Sequence, residues 1–488
     1  MDFLKGIELL KATVIPDTEI INVTYEDKGI FEDCGGNVHR DLPKFYRVVL
    51  LSEPGSGSHI YTEVWLPEDW NGIFLGLGNG GMAGSISYWG LTGHIRQGYA
   101  AANTDLGTSR GRNSGINNPD VWKDFGWRAT HIMTESAKAL ILSLYGRKAE
   151  YSYFIGGSTG GQQALAEAQR FPVDYDGIIA GVPANNRTLL HTYFLWNHVH
   201  LRPKNKGALF SVSEIQAVTD SAVKYFQTMG DGIEGDNFIS FPKAEENIIN
   251  GFADFLSREH PEFSNVQLNA LKAVYTGPVN PSDGERIYNG MPIGSEIYGC
   301  GIDECQQEES PHFYPFIWTF GENYDGYDFD FDKDLELLNN KLAEDLNANS
   351  PDLSEFMQNG GKLIMYSGSA DPCVPYPDAM NYYDRVTKQM GGYEKTQSFF
   401  RYFLLPGKDH GWSGNGTNAI LSGSSDSGEL EALRLWREEG KAPDSLTAVG
   451  YNNKKQEDGI RFSRRVYPHS EDSQKQCPPV CSEYYLNK

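Results

Sequence analysis

Two rhythms of apolar and polar residues divide this chain. In the first, short apolar runs bounded by Gly or Pro alternate with longer stretches whose apolar residues recur at helical spacing. Tyr46 to Ser52 and His59 to Leu66 are β-rich and flank Pro54-Gly55-Ser56-Gly57, a hairpin turn signal. Gly72 to Leu77 and Gly98 to Asp105 read as further strands. Trp127 to Tyr145 predicts a long helix with Ile132, Ala139, Leu140 and Leu144 on its apolar side. Tyr153 to Ile155 ends a buried strand, Gln162 to Gln169 carries the next helical pattern, and Asp176 to Pro183 is another strand. Strands alternating with helices predict a parallel sheet with right-handed crossovers. Residues 1 to 45 give no such signal and read as an irregular lead-in.

The second rhythm runs from about Arg187 to Ser350, with helical and irregular segments but little β signal. Ser211-Val212-Ser213-Glu214 is a capping-box start for a helix reaching Phe226, and Phe331 to Asn347 predicts another. The sheet then resumes at Lys362 to Gly368. A helix over Asp378 to Met390, a strand over Ser398 to Leu405 and a helix over Asp426 to Glu439 follow, and the tail from Asn452 is polar. The expected architecture is therefore α/β, with a mostly parallel central sheet built from residues 1–186 and 351–488. Residues 187–350 are expected to form an inserted lid over the sheet's carboxyl edge, where substrate selection resides while the scaffold carries the chemistry.

The candidate chemistry lies at the seam between one strand and the next helix. Gly156-Gly157-Ser158-Thr159-Gly160 fits G-x-S-x-G, and its strand–turn–helix context makes it a nucleophile elbow. A serine hydroxyl needs a neighbouring base, usually a histidine held in one tautomer by a carboxylate. In the α/β-hydrolase order the acid and then the histidine follow the serine. Asp371 and His410 stand in that order, each in a loop just after an expected strand, where sites in open α/β sheets gather. Asp409 is the rival acid, but as the direct neighbour of His410 it is expected to point elsewhere. Acyl transfer also needs donors for the developing oxyanion. The Thr159 N–H is one candidate, and the N–H of Gly80 or Gly81, in Gly78-Asn79-Gly80-Gly81, is the other.

Composition narrows the partners. A formal net charge of -23 argues against nucleic acid or an anionic membrane surface and fits a small-molecule substrate. No apolar run approaches the length of a membrane span. The chain starts without a basic-then-apolar leader, so it is expected to be cytoplasmic unless a leader was removed. Of the 6 cysteines, Cys300/Cys305 and Cys477/Cys481 are close pairs. Without C-x-x-C spacing, zinc is disfavoured for them, and local disulfides are expected only in an oxidising compartment.

Through Gly78 to Gly84, Gly98-Tyr99-Ala100 with Thr104-Asp105, Gly156 to Leu165, Pro406-Gly407 with His410, and Trp436 to Leu446, the chain resembles the tannase and feruloyl esterase family of serine ester hydrolases. The resemblance implies Ser158 as nucleophile, Asp371 as acid, His410 as base, a lid between Ser158 and Asp371, and an acyl-enzyme. The implied substrate is a small aromatic ester of the hydroxycinnamoyl or galloyl type. Many members bridge the nucleophile and histidine loops by a disulfide, but Gly157 and Gly411 occupy those positions here. The resemblance implies no required cofactor. It does raise a structural Ca2+ in the lid through Asp231 and Asp236, although the spacing of that loop is shifted. A serine peptidase, a thioesterase, or an inactive hydrolase fold used as a binding module are the competing expectations. Three intact triad candidates speak against the last.

Overall fold

The computed structural model describes residues 3–470 except 205–206, 231, 234, 309 and 422–427, together with a short strand in the tail. In chain order the strands are β1 (Thr18–Glu26), β2 (Ile30–Glu32), β3 (Val38–Arg40), β4 (Phe45–Ser52), β5 (Ile60–Pro67), β6 (Ile73–Leu77), β7 (Ala100–Thr104), β8 (Tyr151–Gly157), β9 (Gly177–Gly181), β10 (Lys362–Gly368), β11 (Phe400–Leu405), β12 (Ala419–Leu421), β13 (Leu446–Tyr451), β14 (Ile460–Val466) and β15 (Tyr484–Tyr485). The main sheet has 9 strands in the order β1-β4-β5-β7-β6-β8-β9-β10-β11. Pairing is antiparallel from β1 to β7 and parallel from β7 to β11. The burial follows the topology. β4 alternates buried and half-buried positions, whereas β6, β7 and β9 are buried throughout, as strands covered on both faces must be.

One face packs against Ala129–Tyr145 and Tyr376–Met390 through Met133, Leu140, Leu144, Tyr382 and Tyr383. The other packs against Tyr88–Ile95 and Gly428–Glu439 through Leu91, Ile95, Leu433 and Trp436. The lead-in is not irregular. It forms the helix Phe3–Lys11, the edge strand β1 and the hairpin β2–β3. The polar tail from Asn452 contributes β14 and β15 to a second, four-stranded antiparallel sheet, in which they follow β12 and β13.

The insertion is helical, built on Arg187–Leu201, Val212–Thr228, Glu246–Glu259, Asn265–Thr276 and Lys333–Leu346. Ser211 and Ser264 each close a capping box, with Glu214 and Gln267 respectively. The two ends of the insertion meet. Ala348 N–H donates to Asn185 O (2.8 Å), Thr188 N–H to Asn347 Oδ1 (3.0 Å) and Asn185 Nδ2 to Asn349 Oδ1 (2.7 Å). Above that stem, Phe313, Trp318 and Leu338 of the insertion share one apolar cluster with Ile60, Leu106, Val121 and Trp122 of the sheet domain.

Candidate active site

β8 ends at Gly157, and Ser158 then adopts φ 61°, ψ -118°, immediately before the helix Thr159–Arg170. A side chain at positive φ is strained and persists only where its surroundings hold it. Here the holding is done by close backbone packing. A Cβ on Gly78 would lie 2.5 Å from Gly160 Cα and 2.8 Å from Gly156 Cα, so the two turns fit only as glycine. Ser158 N–H donates to Gly181 O (3.0 Å), and Gly160 N–H donates to Asn79 O (2.7 Å). Asn79 is fixed in turn, its N–H donating to Gln163 Oε1 (2.8 Å) and its Nδ2 to Thr104 O (2.8 Å).

Asp371 is fully buried in the loop after β10. Its Oδ1 accepts the N–H groups of Cys373 (2.8 Å) and Val374 (2.9 Å), and its Oδ2 lies 2.9 Å from His410 Nδ1. Burial opposes a charge on His410, but the Asp371 carboxylate outweighs it and holds the imidazole above its ordinary value. Asp409 turns away and accepts from Ser413 Oγ (3.1 Å). The His410 loop is wound around Lys408, whose Nζ donates to the carbonyls of Asp409 (2.8 Å), His410 (3.2 Å) and Gly411 (2.6 Å). That ammonium lies 4.3 Å from the centroid of the Trp412 ring, and burial pushes it down to about 8. Gly407 N–H donates to Ser369 Oγ (2.7 Å) and Ala370 N–H to Lys408 O (3.0 Å), which stitches the acid and histidine loops together.

Ser158 and His410 line one cavity of ≈ 320 Å³, together with residues of the helical insertion. No hydrogen bond joins the Ser158 hydroxyl to the imidazole among the described residues, as is common before a substrate tightens such a site. Thr159 and Gly81 also line the cavity, and Thr159 Oγ1 donates to Gly81 O (2.5 Å). Gly80 is one residue farther back and is not among the lining residues. Leu190, Phe194 and Val374 make the cavity largely apolar.

The sequence does not point to several of the other walls, namely Arg187, His191, Cys300, His312 and Cys373. Cys300 does not pair with Cys305, whose Sγ instead donates to Cys300 O (3.4 Å). A hydrogen bond from Cys373, aided by His312, holds the Cys300 thiol down to about 6 against burial. Burial opposes a charge on His312, yet Cys300 and Glu304 outweigh it and lift it to about 9. The Glu304 carboxylate lies 3.0 Å from His312 Nε2. Only burial and the fold bring these residues together, and no local motif marks them.

Of the two residues expected at a lid calcium, Asp231 lies outside the described residues. Asp236 is engaged by Arg464, whose Nη2 lies 2.6 Å from both carboxylate oxygens, and the neighbouring Asn237 Oδ1 accepts from Arg461 (2.8 Å). An ion at this loop would have to displace an arginine from Asp236. Cys477 and Cys481 also lie outside the described residues.

The family model described as tannase and feruloyl esterase matches residues 46–311 and 318–481. An uncharacterized esterase of Xanthomonas campestris pv. campestris is 31% identical, over 94% of this chain and 87% of that protein. A probable feruloyl esterase B-2 of Aspergillus flavus is 30% identical, over 86% of this chain and 82% of that protein. The crystal structure of feruloyl esterase B from Aspergillus oryzae superposes with a TM-score of 0.82 at 25% identity, covering 96% of each chain.

Proposed function

The chain belongs to the tannase and feruloyl esterase family and is a carboxylic ester hydrolase, and from that premise we propose that it cleaves aromatic esters through a Ser158–His410–Asp371 triad and an acyl-enzyme. The observation that carries the reading is the 2.9 Å contact from His410 Nδ1 to Asp371, with the ring facing the same cavity as Ser158. Asp371 fixes the tautomer in which Nδ1 bears hydrogen, leaving Nε2 free to take the Ser158 proton. The Ser158 oxygen then attacks the ester carbonyl. The tetrahedral oxyanion receives N–H groups from Thr159 and, of the two glycines, from Gly81. Collapse breaks the bond to the alcohol, which leaves with the proton from His410. Water activated by the same imidazole then releases the acid and restores the serine. No cofactor enters these steps.

The apolar cavity wall with Phe194 and Tyr314 suits an aromatic acyl group of the hydroxycinnamoyl or galloyl type. A fluorophosphonate label, followed by peptide mass mapping, should mark Ser158 alone. Ser158→Ala should lower kcat on a feruloyl or galloyl ester by at least about 1,000-fold. Labelling elsewhere, or unchanged turnover in Ser158→Ala, contradicts the assignment.

A further inference from the structure

A second group of reactive side chains shares the cavity that holds Ser158. Cys300, His312 and Cys373 all line it. One ligand atom each from Cys300, Glu304 and His312 lies within 4.8 Å of the other two. Cys373 adds a second sulfur, because its thiol donates a hydrogen bond to Cys300. Cys300, Glu304 and His312 belong to the insertion, whereas Cys373 is two residues beyond Asp371 in the loop after β10. All four are held by their surroundings. Cys300 keeps φ 66°, a left-handed value that a residue with a side chain adopts only where the fold imposes it. Its N–H donates to Glu304 Oε2 (2.9 Å), which leaves Oε1 facing His312 Nε2 at 3.0 Å. The His312 ring stacks on Phe194 with centroids 3.9 Å apart, and its main-chain O accepts from His191 Nδ1. Cys373 N–H donates to Asp371 Oδ1 (2.8 Å).

The triad uses none of these four residues, and Cys300 and Cys373 are free thiols. Two sulfurs, an imidazole nitrogen and a carboxylate oxygen are the ligand types of a four-coordinate zinc site, whereas calcium and magnesium take oxygen. With bonds of about 2.0–2.3 Å, neighbouring ligand atoms of a tetrahedral site stand about 3.3–3.8 Å apart, so atoms already within 4.8 Å need only side-chain adjustment. The cavity gives an ion its way in. Neither close cysteine pair of the sequence is this site, because Cys300 meets a sulfur brought from far along the chain. We propose that Cys300, Cys373, His312 and Glu304 bind a zinc ion in the wall of the cavity that holds Ser158, and that the bound ion inhibits ester turnover. The ligating thiols pass their protons to solvent as the ion binds. The ion then ties the insertion to the loop that carries Asp371, and it sets a charge against the wall assigned above to the acyl group. The inhibition rests on the ester-hydrolase reading; the binding does not.

The full chain, tag-free and reduced, should retain one zinc per molecule through gel filtration, as read by elemental analysis. Cobalt(II) in its place should give the intense sulfur-to-metal absorption that carboxylate and water ligands cannot give. Cys300→Ser and Cys373→Ser should each weaken zinc binding by more than about 100-fold, beyond the roughly 10- to 100-fold lost with a residue that only supports a ligand. Cys34→Ser, at an exposed thiol, should leave binding unchanged. Should the Cys300 and Cys373 variants fail to fold, wild type decides: zinc must protect Cys300 from iodoacetamide, read by peptide mass mapping. Zinc should also remove most of the turnover of a feruloyl ester, and a chelator should restore it. No zinc retained, a cobalt spectrum without sulfur ligation, or Cys300 alkylated as fast with zinc as without it overturns the site. Full turnover with zinc bound overturns the inhibition. No ester turnover in zinc-free protein, with no labelling of Ser158, counts against the esterase reading alone, and the metal measurements still decide the site.

Discussion

Ser158 keeps a backbone angle that residues with a side chain avoid, and His410 keeps a proton more firmly than an ordinary histidine. The second property has a measurable sign. As the proposed base, His410 acts only when neutral, and its Asp371 contact raises the pH needed to neutralise it. Activity should therefore fall on acidification, with the lower limb of kcat/KM above about 6.5, the usual histidine value. In Asp371→Asn that limb should move down and the rate should fall by several orders of magnitude, about 10,000-fold in a comparable triad. A limb unmoved by Asp371→Asn would remove the carboxylate from its assigned role. At this scale Ser158, Asp371 and His410 were legible because each sits in a turn with a recognisable neighbour: Gly156 and Gly160, Pro372, Pro406-Gly407. Arg187, Cys300 and His312 were not. An isolated Arg in Asn186-Arg187-Thr188 looks like any solvent-facing residue until folding removes the solvent.

The helix that follows Ser158 carries its own liability. Glu167 is buried in the middle of Thr159–Arg170, and burial, then the charge of Asp174 beside it, push its carboxyl well above the ordinary value. In the unfolded chain the same acid ionises near 4.5. Above that pH the unfolded state has given up a proton that the folded state still holds, so stability falls as pH rises towards the folded value. The loss is about 1.4 kcal/mol per pH unit in that window. Glu167→Gln removes this loss, and its melting temperature relative to wild type should improve from pH 5 to pH 8. A constant difference across that range would mean that Glu167 is already ionised in the fold. Elements were legible where their residues are buried on one pattern, as in β6 to β11 and the helix Ala129–Tyr145. β1 escaped because it is an edge strand, with Val23 as its one well-buried position. β14 escaped because Arg461, Arg464 and Arg465 hide its alternation, although Arg464 is itself buried against Asp236 and Phe238.

Lid and sheet domain unfold as one body if the apolar cluster between them is as continuous as its contacts. Trp318 is the centre of that seam. It is 1% exposed, its Nε1 donates to Arg112 O (2.7 Å), and its ring meets Phe125 edge-on at 5.8 Å. Wild type should show a single calorimetric transition. Trp318→Ala should cost about 3–5 kcal/mol and lower that transition as a whole. Two separate transitions in wild type would mean that the lid is an independent unit. The sequence showed where the sheet pattern stopped and restarted. It did not show this shared core, because the partners are about 200 residues apart and each half looks like an ordinary helix face.

The hydrogen bonds between Asn185, Thr188, Asn347, Ala348 and Asn349 have a further consequence. With both ends pinned side by side, the length of what hangs between them scarcely affects the closure entropy of the rest of the chain. Relatives can thus exchange, trim or enlarge that appendage like an interchangeable cartridge. Because Arg187, Leu190 and His191 lie in its first turns, such an exchange would replace that part of the cavity wall along with the cover, while Ser158, His410 and Asp371 stay on the frame.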